Sequence, residues 1–218
     1  MTPRHVQADR LHNARTKAAK GPAVNPAVNK GEPEARSVRP NMSTWHVSVG
    51  QLVHRCAGDL AEHRSETRTV LAGRITEWVS AAAKDTRVFG NLPKARAQIT
   101  SMAGAYLFTY APGPDAQYLG AEVTFDGGRL DLVWFVPDFG VVIDELKTTS
   151  WVRLGVDATM LKQCQRYREY GLTEWGDLFA GVRFLPLLNP HEARWIDPSG
   201  TVSRLDVSSA RALTKQAA

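Results

Sequence analysis

One stretch, GRLDLVWFVPDFGVVIDELKTTS (residues 128–150), places charged side chains inside two apolar runs. Asp131 lies in the first run, and Glu145 and Lys147 lie in the second. A hairpin whose turn is centred on Asp138 would pair residue 131 with residue 145, with Cβ atoms about 4.5–5.5 Å apart. Two carboxylates that close repel each other, and a divalent cation bound between them would relieve the repulsion. The hairpin therefore predicts a metal site.

A basic residue accompanies the two acids. Lys147 shares a face with Glu145 because side chains alternate along a strand, so it can contact a metal-bound water or the charge that develops on phosphorus. Asp144 points to the opposite face, and we expect it to be structural, as a partner to a helix or to Thr148. Alternatively, Asp131 and Glu145 face solvent and Lys147 bridges them. The apolar residues around both acids favour a cleft.

The elements that position the hairpin predict an α/β fold with a mixed sheet flanked by helices. Apolar residues at helical spacing alternate with runs typical of strands and with turn signals. The predicted elements are a helix from Ser48 as cap, helices over 69–84 and 94–110, strands at about 118–125, 129–136 and 140–148, a helix near 157–170 capped by Asp157 and ended by Gly171, a strand over 180–188, a strand–turn–strand around 195–205 and a short terminal helix.

Composition separates the first 43 residues from the rest of the 218-residue chain. They hold eight Lys/Arg and three Asp/Glu, whereas residues 44–218 hold nineteen of each, so the leader carries the whole formal charge of +5. It contains five of the twelve prolines and no aromatic residue. This composition predicts a disordered basic leader, which is a solvated tail, a functional arm or an organellar presequence. Residues 44–218 are predicted to form the folded domain.

Two classes of protein are disfavoured. No apolar run approaches the roughly 18–20 residues that cross a bilayer, and the N-terminus lacks the apolar core of a secretory signal, so we expect a cytoplasmic protein. Cys56 and Cys164 are too few and too far apart for a four-thiolate cluster, and we expect both to be small buried side chains.

The hairpin resembles the core motif of a known family. Asp131, thirteen residues and then Glu145-Leu146-Lys147 are similar to the signature of the PD-(D/E)XK nuclease superfamily. The proline of the family name is absent because Leu130 precedes Asp131. The predicted element order also resembles the restriction-endonuclease-like core of that superfamily, α-β-β-β-α-β.

Further matches resemble the RecB-like exonuclease branch. Glu122, in GAEVTF on the first strand, resembles the extra acid near the metal. Gly50 and His54, in VGQLVH on the first helix, resemble a glycine-then-histidine pattern whose histidine binds metal. His63, further along that helix, is the alternative histidine.

The helix after the hairpin carries another signature of that branch. Gln163 and Tyr167, in QCQRY, resemble its Gln-x-x-x-Tyr pair, and their spacing puts both on one helical face. The resemblance implies that they position the nucleic acid or brace Lys147. Lys162 and Arg166 make the helix basic, which suits phosphate contacts and is also common on a solvated face.

Together these matches imply a nuclease that depends on Mg²⁺ or Mn²⁺. The implied substrate is DNA, with RNA not excluded, and the implied role is exonuclease or DNA-end processing in recombination, repair or phage DNA metabolism, with a helicase or recombination protein as a partner and no membrane. Two alternatives stay open: an inactive nucleic-acid-binding module and a partner-binding α/β protein. The implied metal ligands are Asp131, Glu145, the Leu146 carbonyl, His54 and Glu122, with Lys147, Gln163 and Tyr167 completing the catalytic set.

Overall fold

A computed structural model describes residues 42–84, 92–126, 128–148 and 158–206. Along the chain, helices precede and follow a three-stranded meander, and later strands complete the sheet. The elements are α1 (Met42–Glu62), α2 (Arg68–Ala83), α3 (Leu92–Ala105) with a π-helical continuation (Tyr106–Tyr110), β1 (Gln117–Phe125), β2 (Gly128–Val136), β3 (Gly140–Lys147), α4 (Ala158–Trp175), β4 (Phe179–Pro186), β5 (Arg194–Ile196) and β6 (Val202–Arg204).

The strands form one mixed, open sheet in the order β1-β2-β3-β4-β5-β6. All neighbours are antiparallel except β3 and β4, which are parallel and are connected through α4. From Gly140 to Leu146 every residue of β3 is buried, as expected for a central strand covered on both faces. This explains why the second apolar run of the hairpin is continuous rather than alternating.

Helices cover both faces of the sheet. Leu132 and Trp134 of β2 pack in one hydrophobic core with α1, α2 and α3. The contribution of α1 is a buried apolar face that includes Val53 and Leu60. Side chains on the other face of the sheet, such as Ile143 of β3, pack in a second hydrophobic core with Cys164 of α4. Side chains at odd positions of β3 therefore point towards α4, and those at even positions point towards α1–α3.

The predicted class, an α/β fold with a mixed sheet flanked by helices, is confirmed, but the order of elements differs from α-β-β-β-α-β. Three helices precede β1, and β5 and β6 extend the sheet beyond β4. The restriction-endonuclease-like core stays a prediction. Both cysteines are free and buried, as predicted. Among the described helices, none combines the length and the apolar character needed to cross a membrane.

Two helix boundaries were predicted wrongly. Ser48 lies inside α1, which begins at Met42. Gly171 does not end its helix, because α4 continues to Trp175. A Cβ at Gly171 would lie 2.4 Å from the Phe179 ring, so this glycine permits close packing rather than stopping the helix. The predicted cap Asp157, the terminal helix and residues 1–41 of the leader lie outside the described residues.

Candidate metal centre

Three acids lie in one row across neighbouring strands. The β2–β3 register pairs Leu132 with Asp144, and its continuation by one residue sets Asp131 opposite Glu145, as the sequence predicts for a turn centred on Asp138. The β1–β2 register on either side of position 122 sets Glu122 opposite Asp131. The sheet therefore brings together carboxylates from β1, β2 and β3.

Asp131 is held by contacts to both of its carboxylate oxygens. His54 Nδ1 of α1 lies 3.0 Å from Oδ1, and the backbone N–H of Leu146 donates to Oδ2 at 2.7 Å. In the second bond, a side chain of β2 takes the place of a backbone carbonyl as the acceptor for an N–H of β3. The orientation of this carboxylate is thus fixed by a helix on one side and by the neighbouring strand on the other.

A chain of hydrogen bonds holds the lysine. Lys147 Nζ lies 2.5 Å from Glu145 Oε1 and donates to Gln163 Oε1 at 2.8 Å. Gln163 Nε2 donates to the Tyr167 hydroxyl at 2.6 Å, and that hydroxyl donates to the carbonyl of Arg129 at 2.7 Å. The predicted helical pair thus braces Lys147 and connects α4 back to β2.

These groups surround a single cleft of about 430 Å³. Glu145 is 2% exposed and Asp131 is 6% exposed, so the cleft presents carboxylates that are almost removed from bulk water. The residues that line it are His54, Gly128, Arg129, Asp131, Glu145, Lys147, Gln163, Arg166 and Tyr167.

The electrostatics of the cleft raise two pKa values. Burial, together with the nearby charge of Asp131, raises the pKa of Glu145 to about 7 although Lys147 acts in the opposite direction. Burial acts to lower the pKa of His54, but the attraction of Asp131, Glu145 and Glu122 outweighs it, so that pKa is raised. The shift of His54 reports the negative charge of the neighbouring acids, whereas that of Glu145 reports chiefly its burial.

Glu122 is presented by an unusual backbone. Its φ angle is +54°, in the left-handed region that a non-glycine residue enters at a cost of about 1–3 kcal/mol. Oε2 lies 2.6 Å from Nη1 of Arg129, whereas Oε1 is buried and has no hydrogen-bond partner. A strained residue in the middle of a strand, with one carboxylate oxygen left unsatisfied, is typical of a functional site.

The donor atoms fit a hard divalent cation. One ligand atom each from His54, Glu122 and Asp131 lie within 4.8 Å of one another. Glu145 has a second oxygen, Oε2, that is buried without a hydrogen-bond partner. Carboxylate oxygens with one imidazole suit Mg²⁺ or Mn²⁺, and an ion there would satisfy atoms that are costly to bury unpaired.

Not every predicted site residue lies in the cleft. Lys162 is exposed and does not line it, whereas Arg166 does. Glu122 lies beside the cleft, next to Asp131, but is not one of its lining residues. Leu146 contributes its N–H to Asp131, and the residue does not itself line the cleft. His63, the alternative histidine, instead contacts the backbone oxygen of Asp59 at 2.8 Å.

Arg129 is a cleft residue that the sequence reasoning did not single out. Its position two residues before Asp131 puts both side chains on one side of β2, and this spacing was the available signal. The long side chain reaches diagonally to Glu122 on β1.

Asp144 has the predicted structural role, with a stronger partner than expected. It forms a fully buried ion pair with Arg183 of β4, whose Nε and Nη2 each lie 2.7 Å from a carboxylate oxygen. Tyr106, in the π-helical segment, donates its hydroxyl to Asp144 at 2.7 Å, which is the expected helix contact. Among the described residues, no hydrogen bond joins Asp144 to Thr148.

Comparisons of the chain with family models, with curated proteins and with solved structures yield no match to any of them.

Proposed function

We propose that the chain is a metal-dependent nuclease that hydrolyses phosphodiester bonds in DNA. The observation that carries the proposal is the arrangement of Asp131, Glu145 and Lys147 around one cleft, with an unsatisfied buried oxygen on Glu145. The resemblance of the same residues to the PD-(D/E)XK core motif supports it, and resemblance alone favours an exonuclease or DNA-end-processing role.

Asp131, Glu145, His54 and Glu122 would hold the cation. A bound Mg²⁺ or Mn²⁺ lowers the pKa of water and neutralises charge on a phosphate. The protein's own contribution is to fix these ligands: Asp131 cannot rotate without losing the bonds to His54 and the Leu146 N–H. Preorganised ligands avoid reorganisation during the reaction.

Lys147 is the proposed catalytic cation. Its ammonium is positioned between Glu145 and Gln163, at the edge of the cleft and 21% exposed, so it can donate to an attacking water or to a phosphate oxygen. Gln163 and Tyr167 position this lysine rather than contacting the reacting atoms. Arg166 lines the same cleft and supplies positive charge for the nucleic-acid backbone.

The test uses labelled linear and circular DNA incubated with the purified full chain in Mg²⁺ or Mn²⁺. We expect the wild type to shorten linear DNA, EDTA to abolish cutting and Lys147→Ala to reduce the rate at least a hundredfold. Lys84→Ala, which removes an exposed lysine immediately after α2, is the matched control and should cut normally. The proposal is wrong if the wild type binds the metal and cuts neither DNA nor RNA.

A second candidate function, partner binding without a metal, has one observation in its favour. Without a metal each acid already has a cationic neighbour: His54 contacts Asp131, Lys147 contacts Glu145 and Arg129 contacts Glu122. Such a cluster would suit a partner-binding protein that uses its acids for salt bridges alone. A thermal shift with Mn²⁺ separates the two, because only a metal site predicts a higher Tm in the wild type and no change in Asp131→Ala.

A further inference from the structure

A positive charge already pairs with one of the proposed metal ligands, Glu122, which lies beside the cleft. Arg129 Nη1 lies 2.6 Å from Glu122 Oε2, and the arginine side chain is 48% exposed. Arg129 also lines the cleft beside Asp131 and Glu145. Its guanidinium therefore reaches both the acid and the space that a phosphodiester backbone would enter.

The contact is weak enough to exchange. A half-exposed ion pair contributes only about 0–1 kcal/mol, because solvent screens it and two side chains must be ordered. Glu122 keeps a second, buried oxygen without a partner, so its carboxylate is incompletely satisfied by Arg129. A doubly charged ion at this position would attract Glu122 more strongly than the single charge of Arg129 does.

The backbone of Arg129 is fixed while its side chain can move. Residue 129 is paired with Thr124 across β1 and β2, and its carbonyl accepts the hydroxyl proton of Tyr167 at 2.7 Å. Rotation of the side chain alone is thus enough to transfer the guanidinium from Glu122 to the cleft. A guanidinium fork matches the oxygens of a phosphate, to which it can bind through two hydrogen bonds.

We propose that Arg129 exchanges partners: it pairs with Glu122 in the metal-free protein, is displaced by the divalent cation and then binds a phosphate of the nucleic acid. The exchange rests on the proposed function and deepens it, because it makes phosphate binding depend on the cation. By thermodynamic reciprocity, the cation and the nucleic acid then each increase the affinity for the other.

The first experiment measures the affinity for Mn²⁺ by calorimetry in the absence of DNA. Arg129→Gln removes the competitor and should bind Mn²⁺ about two- to fivefold more tightly than the wild type. In a protein that already carries Glu122→Gln, the same substitution should not increase the affinity for Mn²⁺. This result would distinguish direct competition for Glu122 from a general loss of positive charge. Arg166→Gln is the matched control for that general effect, because Arg166 lines the same cleft and forms no ion pair with Glu122 among the described residues.

The second experiment measures DNA binding by fluorescence anisotropy over a salt series, with every protein carrying Lys147→Ala so that the duplex stays intact. With Mn²⁺ present, Arg129→Gln should reduce the slope of log K against log salt by about one, the loss of one phosphate contact. Without Mn²⁺ the slope should be unchanged, because Arg129 is then engaged by Glu122. Arg166→Gln should reduce the slope under both conditions.

The outcomes distinguish this inference from the proposed function. If the wild type takes up no Mn²⁺, both are overturned. If it takes up Mn²⁺ normally and Arg129→Gln has the wild-type affinity, or alters the salt slope equally with and without Mn²⁺, the exchange alone is overturned. Arg129→Lys, which keeps the charge but not the fork, should restore the Mn²⁺ affinity of the wild type and part of the salt slope.

Discussion

Asp144 and Glu145 are consecutive in β3, yet they point to opposite faces of the sheet and differ in how completely their oxygens are paired. Asp144 is fully buried and accepts hydrogen bonds from Arg183, Tyr106 and Trp134. Glu145 is nearly as buried, but one of its oxygens has no partner in the described residues. The strand thus carries one acid whose two oxygens are both paired and one that keeps an unpaired oxygen, which we propose as a metal ligand.

Glu145 should make the metal-free protein less stable as the pH rises. Its pKa is about 7 in the folded state against an ordinary value of 4.5, so the folded state binds more protons between those values and stability falls across that window. The loss amounts to roughly 3 kcal/mol. Glu145→Gln should not show this loss. Urea denaturation in EDTA from pH 4.5 to 8 measures the free energy of unfolding of both proteins.

The raised pKa of His54 acts in the same direction above pH 6.5, the ordinary value for a histidine. Because the charge of Glu145 is one of the causes of that raised pKa, Glu145→Gln changes the His54 contribution too, and the two proteins are compared below pH 6.5, where His54 does not contribute. Parallel stability curves for the two proteins between pH 4.5 and 6.5 would contradict the assignment to Glu145.

Breaking the buried ion pair should be costly. Arg183→Met leaves the charge of Asp144 buried without its counterion, which costs about 3–5 kcal/mol and lowers Tm by roughly 10 °C. The double variant Asp144→Asn with Arg183→Met removes both charges and should recover part of the loss. Thermal unfolding followed by circular dichroism measures both, and a drop of under 2 °C for the single variant would show that the pair contributes little.

Gly58 allows α1 to approach β1. A Cβ at this position would lie 2.8 Å from the Cβ of Ala121, the residue before Glu122, so Gly58→Ala should push the helix away and cost about 1–3 kcal/mol. His54 lies one turn earlier on the same face of α1, and Mn²⁺ affinity should fall as well. Chemical denaturation and calorimetry measure the two effects.

Gly73 provides the control for that substitution. A Cβ there would meet no atom within 4 Å, so Gly73→Ala should stabilise α2 by up to about 1 kcal/mol. Equal effects of the two substitutions would mean that packing against Ala121 is not what requires Gly58.

Gln163 should contribute to the rate and not to metal binding. Gln163→Ala removes one hydrogen bond that positions Lys147, and a loss of about 1–1.4 kcal/mol corresponds to a five- to tenfold slower cleavage. Gln165→Ala, an exposed residue of the same helix that does not line the cleft, should have the wild-type rate. A single-turnover assay gives the rate, and a changed Mn²⁺ affinity in Gln163→Ala would argue against a positioning role.

The sequence predicted the local part of the site well. Alternation along strands and the centre of one turn determine which residues are opposed, and this was enough to pair Asp131 with Glu145 and to put Lys147 beside them. The four-residue spacing of Gln163 and Tyr167 likewise determines a shared helical face.

Long-range partners could not be predicted in this way. Arg183 lies 39 residues after Asp144, in β4. No periodic pattern in the sequence predicts that β4 pairs with β3 in parallel at that register. The left-handed backbone of Glu122 was also missed, because it depends on the packing of β1 rather than on the residue type. Gly171 was misread because a glycine that ends a helix and one that admits a neighbouring ring are identical in the sequence.

The contact between His54 and Asp131 joins residues 77 positions apart. A fragment comprising only the β2–β3 hairpin would keep two of the acids while lacking the imidazole from α1 and the amide from α4. The proposed cation uptake would therefore report complete tertiary assembly, because the set of ligands is incomplete until α1 is docked against the hairpin.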